Sequence, residues 1–427
     1  MSTHQPSLSH ENNPILEKDF YPFPIIDIFC RVIDNYGDIG VCWRLANNLY
    51  ELVIRYQLGQ LQVRENSVIA QVCRHLGSST FIRTPIRLWV DDLHSFAKIA
   101  PNLNPSLNQQ ILANIHIHQW NTETIQQAVP TAIVIEAFAT DLDDCYQAAM
   151  TGKTQYWFNL EYLSAEPWVE DFHAQPSIQK NKVPKYFFFP GFTDKTGGLL
   201  REPNLIKSLT AFEQNQSAQV DFLSTYVHPN AAHALVRKER LISLFCYPHA
   251  PVKALLTSIA QVGIPATILI PDGVATNTER ILNTLSIHNK HILNTINIQR
   301  FNFIPQEQFD YLLAICDINF VRGEDSFVRA IWSGKPFIWH IYHQQEDAHL
   351  EKLNAWLSNR QQQCPEENSL ISLDSLHQLW NQPGENLADL LTHILQPNML
   401  ELSHQYHQKY REKLLKNPTL SFSLLNF

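Results

Sequence analysis

The apolar positions of this chain fall into short runs, each followed by a polar turn and then by apolar residues at helical spacing. Ile25–Ile33 is such a run; Val41, Leu45, Leu49 and Leu52 then recur on one face, widened by Cys42, Ala46 and Val53. The spacing predicts a strand over 25–33 and a helix over 41–53. Pro85–Asp92, His116–Trp120, Thr131–Ala139 and Lys153–Leu163 read as further strands. A stretch rich in Pro, Gly and aromatic residues then breaks the pattern, and residues ~205–235 are polar without a clear period. The alternation resumes with a strand at Ile242–Cys246, followed by "PATILIPDG", "INIQRFNFIPQ", "DINFV" and "PFIWHIY". Residues from Glu385 onward read as helical.

Alternating strands and helices predict mostly parallel, doubly wound sheets. At 427 residues the chain is too long for one ordinary core. Two Rossmann-like domains facing each other across a groove are expected. The expected divisions are a flexible tail over 1–20, an N-terminal domain over 21–205, a C-terminal domain over 206–385, and closing helices over 386–427.

Composition narrows the function. The 32 Lys and Arg against 41 Asp and Glu give a formal charge of −9. That opposes broad nucleic-acid binding, which needs a basic face, and suits a basic partner. The seven cysteines form no C-x-x-C pair, as expected of buried thiols in a reducing cytoplasm. The first 20 residues lack the basic start and apolar core of a secretory signal, and no apolar run approaches a membrane span.

Two strand–loop–helix units carry the candidate chemistry. In the first, "VIDNYGDIG", Asp34 and Asp38 stand beside Gly37 and Gly40 at the carboxyl end of a strand, where open α/β sheets bind ligands. The spacing is not that of a dinucleotide fingerprint. From the residues alone, catalysis and local capping by the two aspartates both stand. In the second, "NFVRGEDSFVRAIWSGKPF", Arg322, Gly323, Glu324, Asp325 and Ser326 open a helix closed by Gly334 and Pro336. Amide groups at that helix start, with Arg322, suit a diphosphate. Glu324 is out of place for a purely anionic ligand and suits a hydroxyl or a cationic acceptor; a capping-box start is the alternative. Phe303 and Gln306 offer an aromatic face and an amide for a nucleobase, or a core ring and a loop side chain. Tyr247 at a strand end either meets a phosphate or fills the interdomain seam. The "TDLDD" segment is expected to begin a helix rather than hold a metal, and His340, His343 and His349 match no zinc spacing.

The segments "FCRVIDNYGDIGVCWRLA", "RLWVDDL", "NLEYLSAEPWVEDFH", "FFFPGFTDKTGGLLRE", "SLFCYP" and "NFVRGEDSFVRAIWSGKPFIWHIY" together resemble the protein-arginine rhamnosyltransferases of bacterial elongation factor P, the EarP family. They run in order from about residue 25 to 350. The resemblance implies a GT-B glycosyltransferase fold and a cytoplasmic enzyme with neither cofactor nor metal. It implies transfer of rhamnose, with inversion, from dTDP-β-L-rhamnose to an arginine in an N-terminal-domain loop of elongation factor P. That modification activates the factor for ribosomes stalled at polyproline. The family's catalytic acids fall on Asp34, Asp38 and Glu324. Its donor-binding positions fall on Asn35, Tyr36, Gly37, Tyr247, Phe303 and Gln306, and on Arg322 through Ser326. The 56–84 segment looks longer than the family core. A GT-B enzyme with another acceptor, and a non-catalytic nucleotide-sugar binding protein, are the competing expectations.

Overall fold

The computed structural model describes residues 19–33, 36–77, 80–288, 292–344, 347–365 and 371–427. Among them, two large sheets divide the chain. The first has eight strands in the order Gln109–Leu112, Ile115–Gln119, Ile86–Val90, Ile26–Cys30, Ile133–Ala137, Tyr156–Leu160, Pro184–Phe188 and Pro176–Ile178. Its two edge strands are antiparallel to their neighbours, and the inner pairings are parallel. The second has five parallel strands in the order Ile296–Phe301, Ala266–Pro271, Arg240–Leu244, Ile318–Arg322 and Phe337–His340. Both are doubly wound. In each, the chain order reverses beside the first strand of its core, which makes a crevice at the carboxyl ends of the strands. The two crevices face one another, as in the GT-B fold.

The central strands are buried on both faces, which is why they read as nearly continuous apolar runs rather than alternating ones; the acids within them, Asp27 and Glu136, pair with Arg87 and Lys185. Ile26–Cys30 is shorter than the expected 25–33, whereas Arg240–Leu244 has the expected length but begins two residues before the expected 242–246. Past the strand ends Cys246 is buried, whereas Ile33 is exposed on the rim of the cleft. The first helix is longer than its apolar stripe and spans Gly37–Gln57. Asp38 therefore sits inside the first turn, not in the loop before it, where a carboxylate is favoured by the helix dipole.

Several elements escaped the hydrophobic pattern. Asp19–Tyr21, partly inside the span read as a tail, pairs in parallel with Thr80–Ile82. The polar region after residue 204 folds as helices Leu205–Glu213, Gln216–Phe222 and Pro229–Val236. Asn215 caps the second of these, and His228 caps the third with Pro229 in its first turn. The helix Leu420–Leu425 returns to the N-terminal domain, where Leu420, Leu424 and Leu425 join its core. Pro418 O lies so close to Gly198 that any Cβ there would sit 2.1 Å from it, and Gly198 is left-handed at φ 77°. No helix among the described residues is long and apolar enough to cross a membrane.

Candidate active site

Two cavities open into the cleft between the sheets. The first, about 710 Å³, is mainly aromatic: Phe245, Phe301, Phe303 and Phe309 line it, with Tyr36, Gln306 and Arg322. The second, about 690 Å³, holds Asp38, Phe138, Tyr162, Tyr342 and Lys352. Gly37, Gly323 and Glu324 line both. The two cavities therefore meet where the first helix of the N-terminal domain faces the turn after strand Ile318–Arg322. Gly323 makes that turn in the left-handed region, at φ 61°.

Glu324 stands at the N-cap of helix Asp325–Ser333, yet its side chain makes no cap bond. The capping-box alternative is thereby set aside. Its Oε2 accepts from the Leu163 amide of the other domain at 3.0 Å, and its Oε1 pairs with Lys352 Nζ at 2.7 Å. Ser326 Oγ accepts from the Arg322 amide at 3.1 Å and donates to the Arg322 carbonyl, tightening the turn. Arg322 lies over the rings of Phe245 and Tyr247, 4.3 and 5.0 Å from their centroids. That stacking fixes the guanidinium beside the aromatic cavity. Tyr247 is buried, and its amide donates to His340 Nδ1 at 3.2 Å. Burial holds the His340 ring neutral, with its pKa down at about 3.

Asp38 is buried, and its Oδ2 accepts from the Ile33 amide at 2.8 Å. This bond ties the helix start to the strand end and fixes the carboxylate's position. Asp34 and Asn35 lie outside the described residues. Tyr36 packs on Phe303, with ring centroids 4.9 Å apart, so the two domains touch across the aromatic cavity.

The Asp325 amide is expected at a diphosphate; its side chain, for which the residues alone suggest no role, is the hub of a buried ionic knot. Its Oδ1 pairs with Arg44 Nη1 at 2.7 Å; its Oδ2 takes Arg329 Nε at 2.9 Å and Gln306 Nε2 at 3.0 Å. Arg44 also binds Glu202 through two nitrogens, at 2.8 and 3.0 Å, and Arg329 pairs with Asp310. Burial works to raise the Asp325 and Glu202 pKa values, but Arg329 and Arg44 outweigh it at Asp325, and Arg44 does so at Glu202; both are held at about 2. Only the backbone of Asp325 is left for an anion. Gln306 is committed in part as well, since its Nε2 also donates to Gly40 O at 2.9 Å.

Sequence reasoning missed Arg44, Glu202, Lys352, Phe138 and Tyr162. Phe138 stacks on Tyr162 at 4.6 Å and, like its neighbour Ala139, has a positive φ at the strand end. That strain cannot be read from residue types; the place of "EAFATD" at the carboxyl end of a buried strand was the one signal available. No cluster of three or more His, Cys, Asp or Glu placed to hold a metal occurs among the described residues. The "TDLDD" segment leads into a helix at Asp144–Ala149. A larger open depression, about 2910 Å³, lies at the amino ends of the first sheet, away from both crevices. Arg87 on its wall is consumed by Asp27.

Comparison with known proteins agrees with this architecture. The model of the family "Elongation-Factor P (EF-P) rhamnosyltransferase EarP" matches residues 26–84 and 67–427. The protein-arginine rhamnosyltransferase of Pseudomonas aeruginosa is 40% identical over 338 residues, covering 78% of this chain and 80% of that one. That of Shewanella oneidensis is 38% identical over 346 residues, covering 78% and 79%. That of Neisseria meningitidis serogroup B is 34% identical over 348 residues, covering 77% of each. A solved structure, "Structural basis for EarP-mediated arginine glycosylation of translation elongation factor EF-P", superposes with TM-score 0.54 at 27% identity, over 94% of this chain and 97% of that one. The chain thus belongs to the EarP family of elongation factor P rhamnosyltransferases, and it is a protein-arginine rhamnosyltransferase.

Proposed function

We propose that this protein moves L-rhamnose from dTDP-β-L-rhamnose to one arginine of elongation factor P, with inversion and without a metal. Two cavities that meet at Glu324 support this assignment: an aromatic one suited to a nucleotide and an acidic one suited to a guanidinium. The relatives' names supply the sugar and the arginine. Ile33, Tyr162 and Tyr342, exposed on the rim of the acidic cavity, suit a protein acceptor better than a small polar one.

In this account the thymine stacks on Phe303, with Gln306 at its edge, and the diphosphate lies against Arg322, Tyr247 and the amides of Asp325 and Ser326. The anomeric carbon then sits at the junction. A guanidinium is a poor nucleophile, protonated and delocalised. Asp38 and Glu324, from opposite domains, hold its fork in line with that carbon, and Asp34 orients it further. As the nitrogen attacks, the bond from carbon to the diphosphate oxygen breaks with its electron pair. The nitrogen becomes acidic and gives its proton to Asp38. Arg322 and the helix N-terminus take up the charge of the leaving dTDP, the role a metal has elsewhere.

The test is release of dTDP from dTDP-β-L-rhamnose with elongation factor P as acceptor. Turnover is expected with the native factor and none when its acceptor arginine is changed to lysine. Equal turnover with the lysine form, or with no factor at all, contradicts the proposal and favours a GT-B enzyme of another acceptor.

A further inference from the structure

Glu324 already carries a cation. Lys352, from helix Ala348–Gln363, places Nζ 2.7 Å from Glu324 Oε1 and 5.6 Å from the centroid of the Tyr162 ring. Both partners line the acidic cavity, and their side chains are 16% and 19% exposed. Phe138 backs Tyr162. The ammonium thus occupies a slot with a carboxylate at its end and an aromatic face along its side, the surroundings that a guanidinium also seeks.

We propose that Lys352 is a resident stand-in for the acceptor guanidinium, neutralising Glu324 in the empty pocket and yielding it when arginine enters. This rests on the assignment of the acidic cavity to the acceptor. Two cations on one carboxylate oxygen repel strongly in so confined a site. An ammonium is a compact point charge on a flexible stem, whereas a guanidinium presents a planar fork that pairs through two parallel bonds. The exchange therefore favours arginine. The partial exposure of Lys352 gives its head a way to water while its stem stays on Tyr162. Glu324 keeps its orientation throughout, since the Leu163 amide holds the other oxygen.

The exchange has two consequences for the reaction. A neutral side chain that displaced Lys352 would leave Glu324 without a counter-charge, so the pair rejects glutamine-like residues. After transfer the ammonium returns to Glu324 and helps to expel the glycosylated side chain.

The experiment compares Lys352→Met and Lys352→Arg with the native enzyme, reading KM for elongation factor P, KM for dTDP-β-L-rhamnose and kcat. Methionine keeps the stem and removes the competitor, so the acceptor KM falls severalfold while the donor KM is unchanged. Arginine competes better than lysine, so the acceptor KM rises. A Lys352→Met enzyme with an acceptor KM equal to or above the native value overturns the proposal. If the native enzyme does not modify elongation factor P, the functional assignment falls by itself. The exchange is then read by calorimetric titration of N-acetylarginine methylamide. Tighter binding to Lys352→Met than to the native protein supports the proposal, and equal or weaker binding overturns it.

Discussion

Arg44 and Asp325 join the two domains through a buried ion pair of 2.7 Å, one residue along the chain from Glu324. Arg44 comes from the helix that opens with Gly37 and Asp38; Asp325 opens the helix that follows Glu324. The knot they share with Glu202 and Arg329 sets the distance between the two acids of the acceptor cavity. A buried pair of this kind adds little stability over an apolar replacement, but removing one partner leaves the other short of hydrogen bonds. Asp325→Asn is expected to cost about 1–3 kcal/mol, because Arg44 and Arg329 lose their shared anion and keep only Glu202 and Asp310 respectively. The midpoint of urea unfolding reads this. A loss under about 1 kcal/mol, the range of an exposed pair, contradicts the burial argument.

The knot also fixes a pH dependence. Asp325 and Glu202 have native pKa values of about 2, against ordinary values of 3.8 and 4.5. Depressed carboxylates contribute stability that is fully present above their unfolded values and is lost as pH falls through the folded ones. The urea midpoint is therefore expected to fall between pH 4.5 and 2, and Asp325→Asn to flatten part of that slope. A slope unchanged in Asp325→Asn contradicts the assignment of this acid sensitivity to Asp325.

Gly40 lies under the donor cavity. A Cβ there would sit 2.8 Å from Gln306 Nε2 and 3.4 Å from Asp325 Oδ2. Alanine also gains helix propensity of about 1 kcal/mol over glycine. Gly40→Ala is thus expected to leave thermal stability near the native value while raising the donor KM about tenfold, as Gln306 is pushed from its place. An unchanged donor KM removes Gln306 from the base site.

Much of this frame is legible in the chain. Buried strands announce themselves as apolar runs, and the two strand–loop–helix units stand out because acids and glycines rarely follow such runs without cause. Asp38, Glu324 and Arg322 could be picked out on those grounds, Phe303 as an aromatic face before a helix and Tyr36 through the family resemblance, and the structure gathers them around one cleft. What a side chain does on arrival was less visible. Asp325 and Glu324 are neighbours with the same charge, and only the positions of Arg44 and Lys352 decide which of them joins the knot and which faces the acceptor. Those positions depend on packing between elements far apart in sequence. Lys352 sits on a helix face that reads simply as solvated, and Arg44 in a helix reads as a surface charge. The strand Pro184–Phe188 was hidden for another reason: its aromatic run lies among prolines and glycines that usually mark loops.

The central claim is that sugar transfer occurs where the two cavities meet, with Glu324 on the acceptor side and Phe303 on the donor side. The direct measurement is the intact mass of elongation factor P after incubation with dTDP-β-L-rhamnose and the native, Glu324→Gln or Phe303→Ala enzyme, with dTDP affinity measured alongside. The native enzyme should add a single deoxyhexose. Glu324→Gln should slow that addition by about 10²-fold, as the guanidinium loses its alignment, and leave dTDP binding intact. Phe303→Ala should weaken dTDP binding by about 1–3 kcal/mol, the worth of one stacked base. Full modification by Glu324→Gln, or unaltered dTDP affinity in Phe303→Ala, would contradict the account.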